Sequence, residues 1–197
     1  MTGVAGLVLA AGEGRRFGRA KALVEWDGER LVDRAVRVLR EGGCRDVYVV
    51  AGAVALDVPG ATVVMNDDWH TGMASSLRTG LAALPATADA VVISLVDQPG
   101  IVAEAVRRVI DGLRNATAAV VATYDGVPRN PVALDRSVWA EVAEHVTGDE
   151  GARSWLRQHP DAVTGVDCGD VADATDVDTE ADLASAVRRR APSRPGR

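Results

Sequence analysis

Apolar residues arrive along this chain in short unbroken runs, separated by stretches in which they recur every three or four positions. Val4 to Ala10, Val47 to Ala51, Ala61 to Met65, Ala90 to Val96, Ala118 to Thr123 and Ala162 to Val166 are runs of strand length, rich in valine. Unbroken rather than alternating apolarity predicts strands covered on both faces, as in a parallel sheet. Between them, Leu31, Ala35, Val38 and Leu39 fall at helical spacing and end at Gly42-Gly43, a helix stop. Met73, Leu77, Leu81 and Leu84 form a second stripe, and Val102, Val106, Val109 and Leu113 a third. Residues 138–146 read as a further helix, and the acids from Asp176 to Asp182 precede a last one. Strand alternating with helix predicts a Rossmann-like, doubly wound α/β domain with a mostly parallel sheet. An antiparallel edge is expected near residues 126–134. One domain is expected over residues 1–187, and the basic stretch 188–197, with its two prolines, reads as a disordered tail.

Composition narrows this picture. Hydrophobic residues make up 47% of the 197 but aromatics only 4%, so the core must be aliphatic. A net charge of −6 argues against a nucleic-acid partner, which would favour a basic face. The cations gather in the first loop and at the C-terminus, which suggests a local anion site on an acidic body. Cys44 and Cys168 lack a partner motif and read as reduced thiols of a cytoplasmic protein. The first apolar run is too short to span a bilayer and follows no basic segment, so no membrane association is expected.

The candidate chemistry begins where the first strand ends. Leu9-Ala10-Ala11-Gly12-Glu13-Gly14-Arg15-Arg16-Phe17-Gly18-Arg19-Ala20-Lys21 carries three glycines and four cations. Glycines let backbone approach a ligand closely, bare N–H groups bind anions, and Arg16 and Lys21 add full charge. The Walker spacing is absent, and Phe17 stands where the dinucleotide fingerprint needs a small residue. Further on, the strand Ala90 to Val96 ends in Asp97-Gln98-Pro99. A carboxylate at the C-terminal end of a central parallel strand lies where such sheets bind ligands, and its hard oxygens suit Mg²⁺. Asp97 could equally cap the following helix, as Ser75 or Ser76 could cap theirs and Thr179 the last one.

The loop matches the pattern Leu-Ala-Ala-Gly-x-Gly-x-Arg-Phe/Met-Gly-x-x-Lys. In this the chain resembles the MobA-like NTP transferases and, within them, the molybdenum cofactor cytidylyltransferases. The likeness extends through Asn66-x-x-Trp69-x-x-Gly72-Met73-x-x-Ser76-like spacing, Asp97-Gln98-Pro99, Gly148-Asp149-x-Gly151-Ala152-Arg153 and Asp176-Val177-Asp178-Thr179. It departs at Arg129-Asn130-Pro131-Val132, where relatives commonly carry a glycine.

The resemblance implies a nucleotide-diphospho-sugar transferase type of fold and transfer of CMP from CTP to the phosphate of a molybdopterin-type acceptor. Leu9, Ala10, Ala11, Gly12, Gly14, Arg16, Lys21, Asn66, Gly72, Ser75 and Ser76 are then expected around the nucleotide. Arg16, Lys21 and Asp97 are expected to be catalytic. Mg²⁺ would lie on Asp97 and Asp178, with Asp176 in reserve. Gln98, Asn130, Pro131 and Arg153 would meet the acceptor. A molybdoenzyme could receive the product. Guanylyl-transferring relatives typically read Ala-Gly-Gly at the loop's start, where this chain has Ala10-Ala11-Gly12. The alternatives are a guanylyltransferase of the same fold, a carrier of the pterin cofactor, and a nicotinamide-dependent oxidoreductase, which Phe17 disfavours.

Overall fold

The computed structural model describes residues 3–115 and 118–190, with side chains through Ala186. The chain opens with β1 (Val4–Leu9), then a small hairpin of β2 (Glu25–Trp26) and β3 (Glu29–Arg30), α1 (Leu31–Glu41), β4 (Asp46–Ala51) and β5 (Thr62–Met65). It continues with α2 (Met73–Ala83), β6 (Ala90–Leu95), α3 (Ala103–Leu113), β7 (Ala119–Tyr124) and β8 (Val127–Asp135). The last part holds α4 (Trp139–His145), α5 (Arg153–Gln158), β9 (Val163–Asp167) and α6 (Glu180–Arg190). The last helix thus carries its backbone to Arg190, past residue 188 where the tail was expected to begin, and residues 191–197 lie outside the described ones.

The main sheet has seven strands in the order β5-β4-β1-β6-β8-β7-β9. β4 and β6 both pair in parallel with β1, and β9 pairs in parallel with β7. Only β8 runs the other way, antiparallel to both β6 and β7. The reversed strand therefore lies inside the sheet, while the edges are the parallel β5 and β9. A short turn explains this: Asp125 and Gly126 both have positive φ, so β7 folds straight back into β8 without a crossover.

Each strand alternates between two apolar layers. Val8, Val49, Val92 and Val120 face a core shared with α1 and α3, with Leu183 and Ala186 of α6 packed against it. Leu7, Leu9, Ile93, Val121 and Val132 face a second core with Leu77 and Leu81 of α2, Val142 of α4 and Trp155 of α5. The core is aliphatic, as the composition requires. Burying each such side chain contributes about 1.5–3 kcal/mol, so the sheet holds the site rigidly.

Chain order reverses around β1, because β4 leaves to one side and β6 arrives on the other. At such a point the loops at the C-terminal strand ends diverge and leave a crevice. The loop after β1 and the turn after β6 border it.

Candidate active site

The loop after β1 folds back on itself. The N–H groups of Phe17 and Gly18 both donate to Gly14 O, each at 2.9 Å. Gly14 has φ +69, and a Cβ there would collide with the carbonyl oxygen of Arg19. Phe17 is buried in the α1 side of the core and anchors the loop from beneath. Lys21 then opens a 3-10 turn, Lys21–Leu23, whose Ala22 is fully packed. Gly12 differs from Gly14, since a Cβ there would meet nothing within 4 Å. It borders open space where a ligand can approach the main chain.

That space is a cavity of about 500 Å³ lined by Leu9, Ala10, Ala11, Gly12, Gly14, Arg16, Lys21, Gly72 and Ser76, with Asp97 and Asp178. Most residues expected around the nucleotide are therefore brought together. Asn66 and Ser75 do not line it. Asn66 is buried, and its Nδ2 donates to Ser75 Oγ at 2.9 Å and Ser76 Oγ at 3.0 Å. These groups stiffen the turn into α2. Neither serine caps that helix. Its first N–H groups are instead met from another segment, Met73 N by Asp149 Oδ1 and Ala74 N by Gly148 O. Glu13, Arg15, Trp69, His70, Met73 and Asp149 also line the cavity. Arg15 is exposed and paired with Glu13.

Lys21 donates to Asp97 Oδ2 at 2.9 Å and to Asp178 Oδ1 at 2.5 Å. Arg16 reaches Asp178 Oδ2 at 3.3 Å. Three segments distant in sequence thus meet at one cation. The main chain fixes this: Val177, fully buried, donates its N–H to Asp97 O at 2.8 Å. Two residues later Thr179 and Asp182 cap α6 reciprocally, Thr179 N to Asp182 Oδ2 and Asp182 N to Thr179 Oγ1. Asp178 joins this cap only through its N–H, 3.2 Å from Asp182 Oδ2, so its carboxylate is left for Lys21. Asp97 caps nothing either, because Val102 stands at the start of α3.

Burial pushes the Asp97 carboxyl above its ordinary range, against the pull of Lys21. The hydrogen bond from Lys21 holds Asp178 below its ordinary range. Burial works to lower the Lys21 ammonium, but Asp97 and Asp178 outweigh it and hold the group above its usual value. Two hard carboxylates converging on one point of positive charge are a donor set that suits a magnesium-class ion shared with phosphate oxygens. Among the described residues no group of three metal-ligating side chains forms a closed site, so such an ion would complete its coordination from phosphate and water.

A second cavity of about 580 Å³ adjoins the first, with Leu9, Met73, Leu95, Asp97 and Asp149 common to both linings. It runs across one face of the sheet from β1 to β9, floored by Ile93, Val121, Val132 and Val163 and walled by Leu156 of α5. Asn130 and Arg153 line it as expected; Gln98 and Pro131 do not. Gln98 is 3% exposed, and its Nε2 donates to Asp176 Oδ1 at 2.8 Å. Asp176, not Gln98, faces the cavity. Pro131 is packed into β8. Arg129 and Arg157 line it too, although the sequence motifs do not single them out; the signal for Arg129 is its place next to Asn130. Arg157 is paired with Glu150. Among the described residues Arg129 and Arg153 make no ion pair. An apolar slot with unpaired guanidinium groups suits a flat, largely apolar molecule that carries anionic charge.

The model for the MobA-like NTP transferase domain matches residues 6–163. A nicotine blue oxidoreductase of Paenarthrobacter nicotinovorans is 38% identical over 190 residues, which is 89% of this chain and 92% of that protein. A probable molybdenum cofactor guanylyltransferase of Mycobacterium ulcerans is 31% identical over 191 residues, 94% of each chain. Among solved structures, Rv0371c of Mycobacterium tuberculosis in complex with manganese is 27% identical, with a TM-score of 0.78 over 95% of this chain and 98% of that one.

Proposed function

The chain belongs to the MobA-like NTP transferase family, and from that premise we propose that it transfers CMP from CTP to the phosphate of a molybdopterin-type cofactor, using Mg²⁺ and releasing pyrophosphate. The observation that carries this reading is Lys21 joined to Asp97 and Asp178 where the two cavities meet. One cavity has a glycine loop and cations for a triphosphate, the other an apolar floor and unpaired arginines for an anionic acceptor.

Nucleotidyl transfer builds charge on the α-phosphate oxygens and on departing pyrophosphate, so catalysis is chiefly positioning and electrostatic stabilisation. Arg16 and the loop amides hold the outer phosphates, and Lys21 neutralises charge near the α-phosphate. Asp97 and Asp178 hold the divalent ion, which when bound polarises the phosphate oxygens. Manganese in a related structure supports a divalent ion. Asn130 and Arg153 orient the acceptor. A phosphate monoester is already largely ionised at neutral pH, so no general base is required.

Ala11 in the nucleotide cavity supports CTP, because its Cβ takes room that a purine needs. Relatives named guanylyltransferases make GTP the competing substrate. A second reading, oxidoreductase activity, is favoured by the nicotine blue oxidoreductase relative. Against it, the glycine loop leads into a 3-10 turn and the β2–β3 hairpin before α1. It therefore does not deliver the helix N-terminus on which a dinucleotide pyrophosphate sits.

One experiment separates these readings. Pyrophosphate release is measured with each common NTP, with and without molybdopterin, beside oxidation of NADH or NADPH in the presence of nicotine blue. Acceptor-dependent release from CTP supports the proposal, and release from GTP alone moves it to guanylyl transfer. Nicotinamide oxidation without pyrophosphate release establishes the second reading.

A further inference from the structure

The geometry points to a cation exchange in the phosphate loop: in the nucleotide-free protein Lys21 and Arg16 occupy the metal-binding carboxylates, and a divalent ion gains them only when a triphosphate draws those cations away. The inference rests on the proposed roles of Asp97 and Asp178. Its basis is that the groups assigned to phosphate and the groups assigned to metal are bonded to each other. Lys21 bridges Asp97 and Asp178 at 2.9 and 2.5 Å, and Arg16 adds a contact to the second oxygen of Asp178 at 3.3 Å. Two carboxylates thus meet two cations, and the cluster carries no net charge for an incoming ion to neutralise.

The side chains differ in how firmly they are held. Lys21 is 14% exposed and Arg16 is 78% exposed. Lys21 is partly withdrawn from water, where charge-assisted hydrogen bonds are strong and an ammonium is displaced only by a better arrangement of charge. A free divalent ion does not offer one, since it would leave Lys21 beside a dication. A triphosphate does, because its oxygens replace both carboxylates as partners for Lys21 and Arg16. Linkage makes the effect reciprocal: whatever factor the triphosphate adds to metal affinity, the metal adds to triphosphate affinity. Direct chelation of metal by phosphate also couples the two ligands, but it involves no change at Lys21 in the protein without nucleotide. That difference is testable.

The test measures Mn²⁺ binding to the nucleotide-free full chain, from the electron paramagnetic resonance signal of free Mn²⁺. Lys21→Met keeps the apolar stem and removes the ammonium. It should bind Mn²⁺ about 10-fold or more tightly than the unaltered protein, within the usual range of coupling between sites. Lys21→Arg, which keeps the cation, should bind as weakly as the unaltered protein. Adding Asp178→Asn to Lys21→Met should abolish the gain. Arg16→Ala, at an exposed position that leaves the fold intact, should give a smaller gain of the same sign and keeps the test decisive if Lys21→Met does not fold. Equal Mn²⁺ affinity in all these variants overturns the inference. If Lys21→Met gains Mn²⁺ while no NTP yields pyrophosphate, the transferase reading fails and the cation exchange stands. If transfer is observed and Mn²⁺ affinity does not change, the exchange fails alone.

Discussion

Gln98 donates from Nε2 to Oδ1 of Asp176 at 2.8 Å, so the residue next to Asp97 is bonded to a second acid on the acceptor side. The same Nε2 lies 3.3 Å from Ala174 O, and Oε1 is buried with no partner among the described residues. Gln98 is therefore a positioning residue for Asp176, which lines the acceptor cavity and not the nucleotide cavity. In Gln98→Ala the Asp176 carboxylate loses its orienting bond. A hydrogen bond to a charged group contributes about 1.5–3 kcal/mol, roughly a 10- to 100-fold loss in kcat/KM for the acceptor. CTP binding, followed by calorimetry, should stay within experimental error. A matching loss of CTP affinity would place Gln98 in the nucleotide site instead.

Asp97→Asn should separate stability from activity. The Asp97 carboxyl is raised above its ordinary value of 3.8, chiefly by burial, so its ionisation costs more in the folded than in the unfolded chain. A raised carboxylate pKa means stability falls as pH rises from 3.8 through the folded value. Asp97→Asn should accordingly raise the Tm at pH 7 and lose that advantage below pH 3.8, where the acid is protonated in both states. Turnover should fall about 100-fold or more, since the proposed metal ligand loses its charge. Asp178 has the opposite sign: its pKa is lowered by Lys21, so its contribution is present above 3.8 and lost as pH falls through the folded value. Asp178→Asn should lower the Tm at pH 7 and reduce turnover more than Asp176→Asn does. Thermal melts across pH, beside pyrophosphate release, check both.

The architecture was legible because apolar runs and helical stripes are local signals. The long strands and helices around the crevice other than β8 follow from spacing, whereas β8 follows from the resemblance of residues 126–134 to the family's hairpin. The reversed position of β8 did not follow, since a hairpin declares two adjacent strands but not which one slots beside β6. At the site, the glycine loop and Asp97 were readable from their place at strand ends. The choice between Asp176 and Asp178 was not. It depends on Val177 bonding to Asp97 O and on the Thr179–Asp182 cap, both of which require chain segments to be docked. Ligand contact for Asn66 and Gln98 is what the resemblance to the MobA-like transferases implies. Within the protein they bond to Ser75, Ser76 and Asp176, partners that spacing alone cannot reveal.

Gly72 holds the two cavities in register. Its φ is +114, and a Cβ there would lie 2.6 Å from Gly148 O and 2.8 Å from Asp149 Oδ1. Those are the two acceptors that cap the start of α2. Gly72→Ala should therefore cost roughly 1–3 kcal/mol in stability from backbone strain alone. Because Asp149 borders both cavities, affinity for CTP and for the acceptor should fall together. Gly126→Ala is the control: its φ is +76, but a Cβ there meets nothing within 4 Å. It should lose stability while leaving both affinities alone, as read by chemical denaturation and calorimetry.

Ala11 should set the choice of base. Ala10 N–H donates to Val50 O at 3.0 Å and Ala11 O accepts from Ala53 N–H at 2.9 Å, so this strand end is anchored to β4 and the loop that follows it. Its Cβ faces Gly52, where a Cβ would lie 2.9 Å from that of Ala11. The backbone cannot retreat to admit a larger base, and room is gained only by deleting the methyl. Asn66 and Ser75 need not change with it, because they bond each other beneath the turn and do not line the cavity. Exclusion by one methyl is worth about 1–3 kcal/mol in a close pocket. Ala11→Gly should thus lower the ratio of kcat/KM for CTP over GTP by about 10-fold or more, chiefly by admitting GTP. Pyrophosphate release with both nucleotides present measures this directly. A clear preference for GTP in the unaltered protein would overturn the assignment of CTP, and an unchanged ratio in Ala11→Gly would move the discrimination away from residue 11.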